Sequence, residues 1–289
     1  MVPTGPRAPR PLRDMPASFC AGLSLLFTDI DDTITREGML PAASYAALWD
    51  LAAAGISVIP VTGRPAGWCD HIARMWPVAG VIGENGAFTY AYDRERRRMR
   101  RRAAPNARSG RADREALAGI ARRVLEAVPG AAVAADQPFR VSDYAIDFRE
   151  DVPPLTDDAV DRICSVLSRE GVHFKVSSIH VNFWLGDFDK MSGVRLFLSG
   201  ELGKELSDIV ETATFIGDSP NDEPLFAGFP HSIAVGNLRR FMDRIEHTPE
   251  YITEAEAADG FCETASFILG HRSFHTPISR AGFPDRTPS

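Results

Sequence analysis

Phe27-Thr28-Asp29-Ile30-Asp31-Asp32-Thr33 places three carboxylates within four residues, directly after the apolar residues Leu23, Leu25, Leu26 and Phe27. The apolar run reads as a strand buried on both faces, as in a parallel sheet. Carboxylates this close to one another and to a core repel and lose solvation, so they call for a neutralising partner. A divalent cation with oxygen ligands would serve. Taken alone, the stretch reads equally well as an acidic turn after a strand.

The surrounding pattern supports an α/β fold. After the first strand, residues 41–54 read as a helix with Leu48 and Leu51 on its buried side, and Gly55 closes it. An apolar strand at 56–61, a helix near 66–75 and a short strand at 78–82 follow. Late in the chain, strand patterns return at 213–217 and 232–235, with a helical stretch at 206–210 before them. Strands alternating with helices of this length predict a Rossmann-like parallel sheet covered by helices. Between the two halves the rhythm is α-β-β-α-β-β: helices at 111–128 and 156–169, strands at 131–135, 144–148, 172–176 and 179–185. That order predicts a small antiparallel sheet with two helices, inserted into the parallel domain. The expected division is a core of residues 19–108 and 187–275, an inserted domain at 109–186, a disordered tail at 1–18 and a flexible tail at 276–289.

Composition narrows the function. The 289 residues are 44% hydrophobic and 25% charged, an ordinary globular balance that allows a sizeable core. Thirty-nine Asp and Glu against 32 Lys and Arg give a net charge of −7, which argues against nucleic acid as the main partner. No apolar run approaches the ~20 residues that span a bilayer, and the Pro- and Arg-rich start lacks a signal-peptide core. The four cysteines are scattered with no C-x-x-C pair, so reduced thiols and a cytoplasmic location are expected. The arginine-rich run at 94–102 lacks interleaved aromatics and reads as a solvated hairpin leaving the sheet, although such runs can bind RNA or an acidic partner.

Ligands of open parallel sheets bind beyond the carboxyl ends of the strands. The unusual polar residues follow that rule: Asp29 and Asp31 after the first strand, Thr62-Gly63-Arg64 after the second, Glu84-Asn85-Gly86 after the third, and Asp218-Ser219-Pro220-Asn221-Asp222 after the late one. Asp29 and Asp218 can share a magnesium ion, which prefers oxygen ligands. One carboxylate can then attack phosphorus, and Asp31, two residues on, can carry the proton of the leaving alkoxide. Thr62 and Gly63 can offer a hydroxyl and backbone amides to phosphate oxygens. Lys190, one of only three lysines, stands where the chain re-enters the parallel domain and can add a positive charge.

Five motifs in order now carry a resemblance: D-I-D-D-T at 29–33, T-G-R at 62–64, E-N-G-A at 84–87, D-K at 189–190 and G-D-S-P-N-D at 217–222. From about residue 23 to 269 the chain resembles the haloacid dehalogenase (HAD) superfamily phosphatases. The resemblance is to the subfamily with a C2B cap, which includes Cof-type, sucrose-phosphate and mannosyl-3-phosphoglycerate phosphatases. It implies that Asp29 is nucleophile and metal ligand. Asp31 would be acid/base, its carbonyl also meeting the metal. Thr62 and Lys190 would hold the phosphoryl group, Asp218 would be the second metal carboxylate, Asp222 would support the metal shell and Asn221 would orient neighbouring groups. Asp32 departs from the glycine common in the family at that position. Arg64 would contact substrate or anchor its loop, and Asn85 would shape the third crossover. In the cap, His180 and Asn182 share one strand face with Trp184, and with Arg140 they are candidates for reading the leaving group; an ordinary cap surface is the alternative. The expectation is a magnesium-dependent phosphatase for a small phosphate ester, a sugar or polyol phosphate, with its oligomeric state open. A phosphotransferase or phosphomutase, or a non-catalytic binding protein of the same fold, are the alternatives.

Overall fold

The computed structural model describes residues 8–272. Its centre is a six-stranded parallel sheet in the order Arg10–Pro11, Tyr251–Ile252, Ile233–Ala234, Ala213–Gly217, Leu25–Thr28, Ser57–Pro60. Leu25–Thr28 is buried at all four positions, as an apolar run in a two-sided parallel sheet requires. From this strand the chain first winds to one side, through Ser57–Pro60. It returns much later on the other side as Ala213–Gly217. The two strands that meet at this reversal are neighbours, and the crevice beyond their carboxyl ends is where such sheets bind ligands. Helices cover both faces. Leu48, Leu51, Phe261 and Ile268 pack on one side, and Val194, Phe197, Leu225 and Phe229 on the other.

The third strand departs from the expected parallel pairing. Val81–Gly83 touches the parallel sheet through a single bridge, Val61 to Ile82. Its ladder is antiparallel, with Phe88–Asp93, which pairs in turn with Arg98–Ala103. This pair is the arginine-rich hairpin. It is exposed, and most of its charge is answered locally: Arg100 and Arg102 pair with Glu201, Arg101 with Asp70, and Arg96 with Asp93.

The tail expected to be disordered through residue 18 is ordered from residue 8 on. Arg10–Pro11 adds an edge strand beside Tyr251–Ile252, and Leu12, Met15, Phe19 and Cys20 are buried. Prolines and arginines hid a segment whose larger apolar side chains, Leu12, Met15 and Phe19, face the core. Residues 1–7 and the expected C-terminal tail at 276–289 lie outside the described residues. A closing helix, Ala257–Gly270, also escaped the sequence reading.

The inserted segment folds as a four-stranded antiparallel sheet in the order Ala132–Val133, Asp143–Asp147, His180–Trp184, His173–Val176. Helices Arg111–Ala127 and Asp157–Glu170 cover one face, where Val181 and Phe183 join Leu117, Val124, Ile163 and Leu167. Alternation along the strand turns His180, Asn182 and Trp184 to the opposite face, toward the parallel sheet. The two connections cross closely, since a Cβ at Gly186 (φ +104°) would overlap the carbonyl of Asn106. The architecture is a parallel α/β core with an α+β cap.

Candidate active site

Asp29 follows Leu25–Thr28 directly, and its amide donates to the Ile216 carbonyl of the neighbouring strand, 2.9 Å away. Its side chain therefore begins where the two central strands end. Asp218 follows Ala213–Gly217 in the same layer. Asp222 closes the next turn, accepting from the Asp218 amide at 3.0 Å. Carboxylate oxygens of Asp29, Asp218 and Asp222 all lie within 4.8 Å of one another, and all three residues are buried.

One cation answers two of these charges. Asp189 caps helix Lys190–Phe197, accepting from the Ser192 amide at 2.7 Å. This places Lys190 in the first turn, with Nζ 2.7 Å from Asp29 Oδ1 and 2.6 Å from Asp222 Oδ1. The helix start is set by the E-N-G turn. A Cβ at Gly86 (φ +104°) would overlap the Asp189 carbonyl, so only glycine permits this approach. Burial alone would lower the Lys190 pKa, but Asp222 and Asp29 outweigh it and raise it above the ordinary value. Burial pushes the Asp29 carboxyl up to about 7 against the opposing pull of Lys190.

Asp218 has no cationic side chain at ion-pair distance among the described residues. Its Oδ2 accepts from the Asn237 amide at 3.1 Å, and burial, with Asp29 and Asp222 alongside, holds its pKa well above the usual carboxylate range. A buried carboxylate left without a counter-charge, in an all-oxygen group of three, fits a hard divalent cation.

Asp31 points elsewhere. Its carboxylate is gripped by Arg64, with Nε 3.0 Å from both oxygens and Nη2 2.8 Å from Oδ1. The other edge of Arg64 reaches Glu150 of the cap, 2.8 Å from Nη2 to Oε1, and Trp68 lies against its plane at 4.5 Å. Glu150 in turn stands 3.0 Å from His180 Nε2. Burial would raise the Glu150 carboxyl, but His180 and Arg64 hold it down at about 2. Asp32 occupies the left-handed region at φ +53°, which explains a preference for glycine there; Asp is among the few side chains that tolerate it.

These groups surround a cavity of about 10 Å³ lined by Asp29, Asp31, Gly63, Arg64, Asp218, Ser219 and Asn221 from the core and by Ser177, Ser178, Ile179, His180 and Asn182 from the cap. Several expected residues stand just behind it. The Thr62 hydroxyl accepts from the Arg64 amide at 3.0 Å and so shapes the loop. Asn85 packs against Gly63, where a Cβ would meet its side-chain nitrogen at 3.3 Å. Arg140 differs from expectation. It lies outside the cavity, buried between Asp136 and Asp143, and it donates to the Gly63 carbonyl at 2.9 Å. With its donors taken by two carboxylates and a backbone oxygen, it ties the cap to the T-G-R loop instead of facing a leaving group.

Three participants were missed. Asn237 follows strand Ile233–Ala234, so the strand-end rule applied once more would have found it. Glu150 stands in the turn after strand Asp143–Asp147, and its role depends on Arg64 and His180, which no local pattern brings to it. Glu84 lies inside a recognised motif, but its role depends on a contact with residues 141–143 that no local pattern reveals.

The sequence profile of haloacid dehalogenase-like hydrolases matches residues 26–107, which hold the first three of these strand ends. Over that stretch the chain is similar to the haloacid dehalogenase-like hydrolases. A phosphoglycolate phosphatase from Methanosarcina mazei is 25% identical over 249 residues, covering 84% of this chain and 95% of that one. Two solved structures share the fold. The C-terminal domain of C. albicans trehalose-6-phosphate phosphatase has a TM-score of 0.68 at 17% identity, covering 92% of this chain and 99% of its own. The sucrose-phosphatase of Synechocystis sp. PCC6803 has a TM-score of 0.56 at 16% identity, covering 85% and 97%. No described helix of this protein is long and apolar enough to cross a membrane.

Proposed function

We propose that this protein is a magnesium-dependent phosphatase that hydrolyses a small phosphorylated metabolite, a sugar or polyol phosphate, through a phosphorylated Asp29. The observation that carries the reading is the unequal treatment of the carboxylates at one cavity: Asp29 on Lys190, Asp31 on Arg64, and Asp218 without a cation. Asp29 and Asp218 would hold the metal, with Asp222 supporting them and, by the family resemblance, the Asp31 carbonyl. When bound, a divalent cation supplies positive charge that lets an anionic phosphate approach these carboxylates.

In the first displacement, an Asp29 oxygen attacks phosphorus while the bond to the leaving oxygen breaks, and Asp31 gives that oxygen its proton. In the second, Asp31 takes a proton from water as the water oxygen attacks phosphorus, and the Asp29–phosphorus bond breaks. Lys190 holds Asp29 in position and adds charge beside the transferring group. The closed cavity is too small for a substrate, so the cap opens to admit one and closes to exclude water. Ser178, His180 and Asn182 offer a hydroxyl, an imidazole and an amide, a set suited to hydroxyl groups on a leaving group. Names of similar proteins, two of them sugar-phosphate phosphatases, point the same way.

A panel of sugar phosphates, polyol phosphates, phosphoglycolate, phosphoglycerates and nucleotides, assayed for free phosphate with magnesium, tests the reading. Phosphate release in the absence of an acceptor is expected. Release that requires a second sugar would make the protein a phosphotransferase, and no turnover of any ester would leave a non-catalytic member of the family.

A further inference from the structure

Glu84 ends strand Val81–Gly83 and is fully buried. Its carboxylate receives backbone amides from two directions. Oε1 accepts from Ala66, the first residue of core helix Ala66–Met75, at 3.0 Å and from Val141 of the cap at 2.9 Å. Oε2 accepts from Ser142 at 2.6 Å and Asp143 at 3.1 Å. Three successive cap amides therefore converge on a single core side chain, beside the start of a helix whose dipole favours an acceptor. The backbone holds an uncommon shape to do so, with Glu84 at φ +44° and Asn85 at φ +56°. Strain of this kind persists only where surrounding contacts impose it.

The position of the contact gives it consequence. Asp143 opens strand Asp143–Asp147, which pairs along its length with His180–Trp184. Asn182 donates to Asp143 at 2.9 Å, and Arg140, one residue before the amide triplet, donates to the Gly63 carbonyl. Where the triplet rests on Glu84 therefore determines where His180 and Asn182 stand over Asp31 and Arg64. We propose that Glu84 is a positioning residue that seats the closed cap on the core by receiving the Val141, Ser142 and Asp143 amides. The proposal rests on the phosphatase reading only for its kinetic consequence.

Hydrogen exchange on the full-length protein tests the seat directly. In Glu84→Ala, the amides of residues 141–143 lose their acceptor and exchange at least ~10-fold faster than in the wild type, while amides of the sheet Leu25–Thr28 keep their protection. Glu84→Gln, which retains one acceptor oxygen, falls between the two. With p-nitrophenyl phosphate as probe, both variants raise KM more than they lower kcat. If Glu84→Ala does not fold, Val141→Pro removes one cap donor and leaves the core untouched. Arg140, at ψ 145°, already has the backbone that a residue before proline needs. The remaining amides of residues 142 and 143 should then exchange faster. Unchanged exchange at residues 141–143 in a folded Glu84→Ala protein, or unchanged exchange at 142 and 143 in Val141→Pro, overturns the proposal. Absence of any phosphatase activity in the wild type would overturn the functional reading and leave the exchange result to judge the seat.

Discussion

Arg64 binds Asp31 through its Nε–Nη2 fork and binds Glu150 of the cap through the adjoining Nη1–Nη2 edge. One guanidinium thus joins the proposed acid/base to the domain that covers it. The planar fork, not the charge alone, fixes the direction of the Asp31 carboxylate, and lysine cannot reproduce it. Arg64→Lys should therefore lower kcat by about 10- to 100-fold, the effect of a misplaced proton carrier. Steady-state kinetics on the best substrate of the panel provides the check, and an unaltered kcat would remove Arg64 from the mechanism.

Asp29 is the only residue asked to bond to phosphorus. Asp29→Asn keeps the shape and the contact with Lys190 but removes the anionic nucleophile, so kcat should fall by at least about 10³-fold. Intact-mass measurement after brief mixing with substrate should show a phosphoryl adduct on the wild type alone. Magnesium-dependent turnover near the wild-type rate in Asp29→Asn would contradict the assigned chemistry.

Asn237 orients Asp218 and, through the same amide, meets the Asp32 carbonyl at 3.1 Å; its own oxygen accepts from Ala257. Residues that orient a metal ligand without touching the metal typically govern affinity by 10- to 100-fold. Asn237→Ala should raise the magnesium concentration for half-maximal activity by about that factor, with kcat at saturating metal changed much less. An unchanged magnesium dependence would reduce Asn237 to a packing role.

The core site could be read from the sequence because its residues follow strands directly, and strand ends in a parallel sheet share one edge. Asp29, Thr62 and Asp218 needed only correct strands to be brought together. The cap contacts needed more. Arg140 carried a charge near a strand end, yet its destination depended on Asp136 and on Gly63, a residue 77 positions away. Glu84 and Glu150 likewise act across the two domains, where no periodicity relates the partners. The N-terminal edge strand was hidden for another reason: two residues of backbone pairing with Tyr251–Ile252 leave almost no side-chain pattern.

Arg140 is locked between Asp136 and Asp143, with its guanidinium fully buried. Removing the cation leaves Asp143 with the Asn182 amide alone and Asp136 with Arg64 at 3.7 Å, a change that costs about 3–5 kcal/mol where buried pairs are broken. Arg140→Met, which keeps much of the volume, should lower unfolding stability by that amount in urea titration. A loss under ~1 kcal/mol would mean that water reaches the cluster and screens it as it does a surface pair.

Glu84 should give the protein a distinct pH signature. Burial, joined by the nearby charge of Asp143, pushes its carboxyl from 4.5 up to about 7, despite the Val141 and Ser142 amides and Arg140 pulling the other way. The raised value means that the folded protein holds a proton which the unfolded chain has released between pH 4.5 and 7. The contribution of that proton is complete below about pH 4.5 and is lost as pH rises through 7, with a slope of at most about 1.4 kcal/mol per pH unit in between. Glu84→Gln is neutral throughout and lacks this term. Urea unfolding of the two proteins from pH 5 to 8 should therefore show the wild type losing stability relative to Glu84→Gln as pH rises, then running parallel to it above about pH 7. A difference that stays constant across the range would show that Glu84 titrates in the folded protein as it does in the unfolded chain.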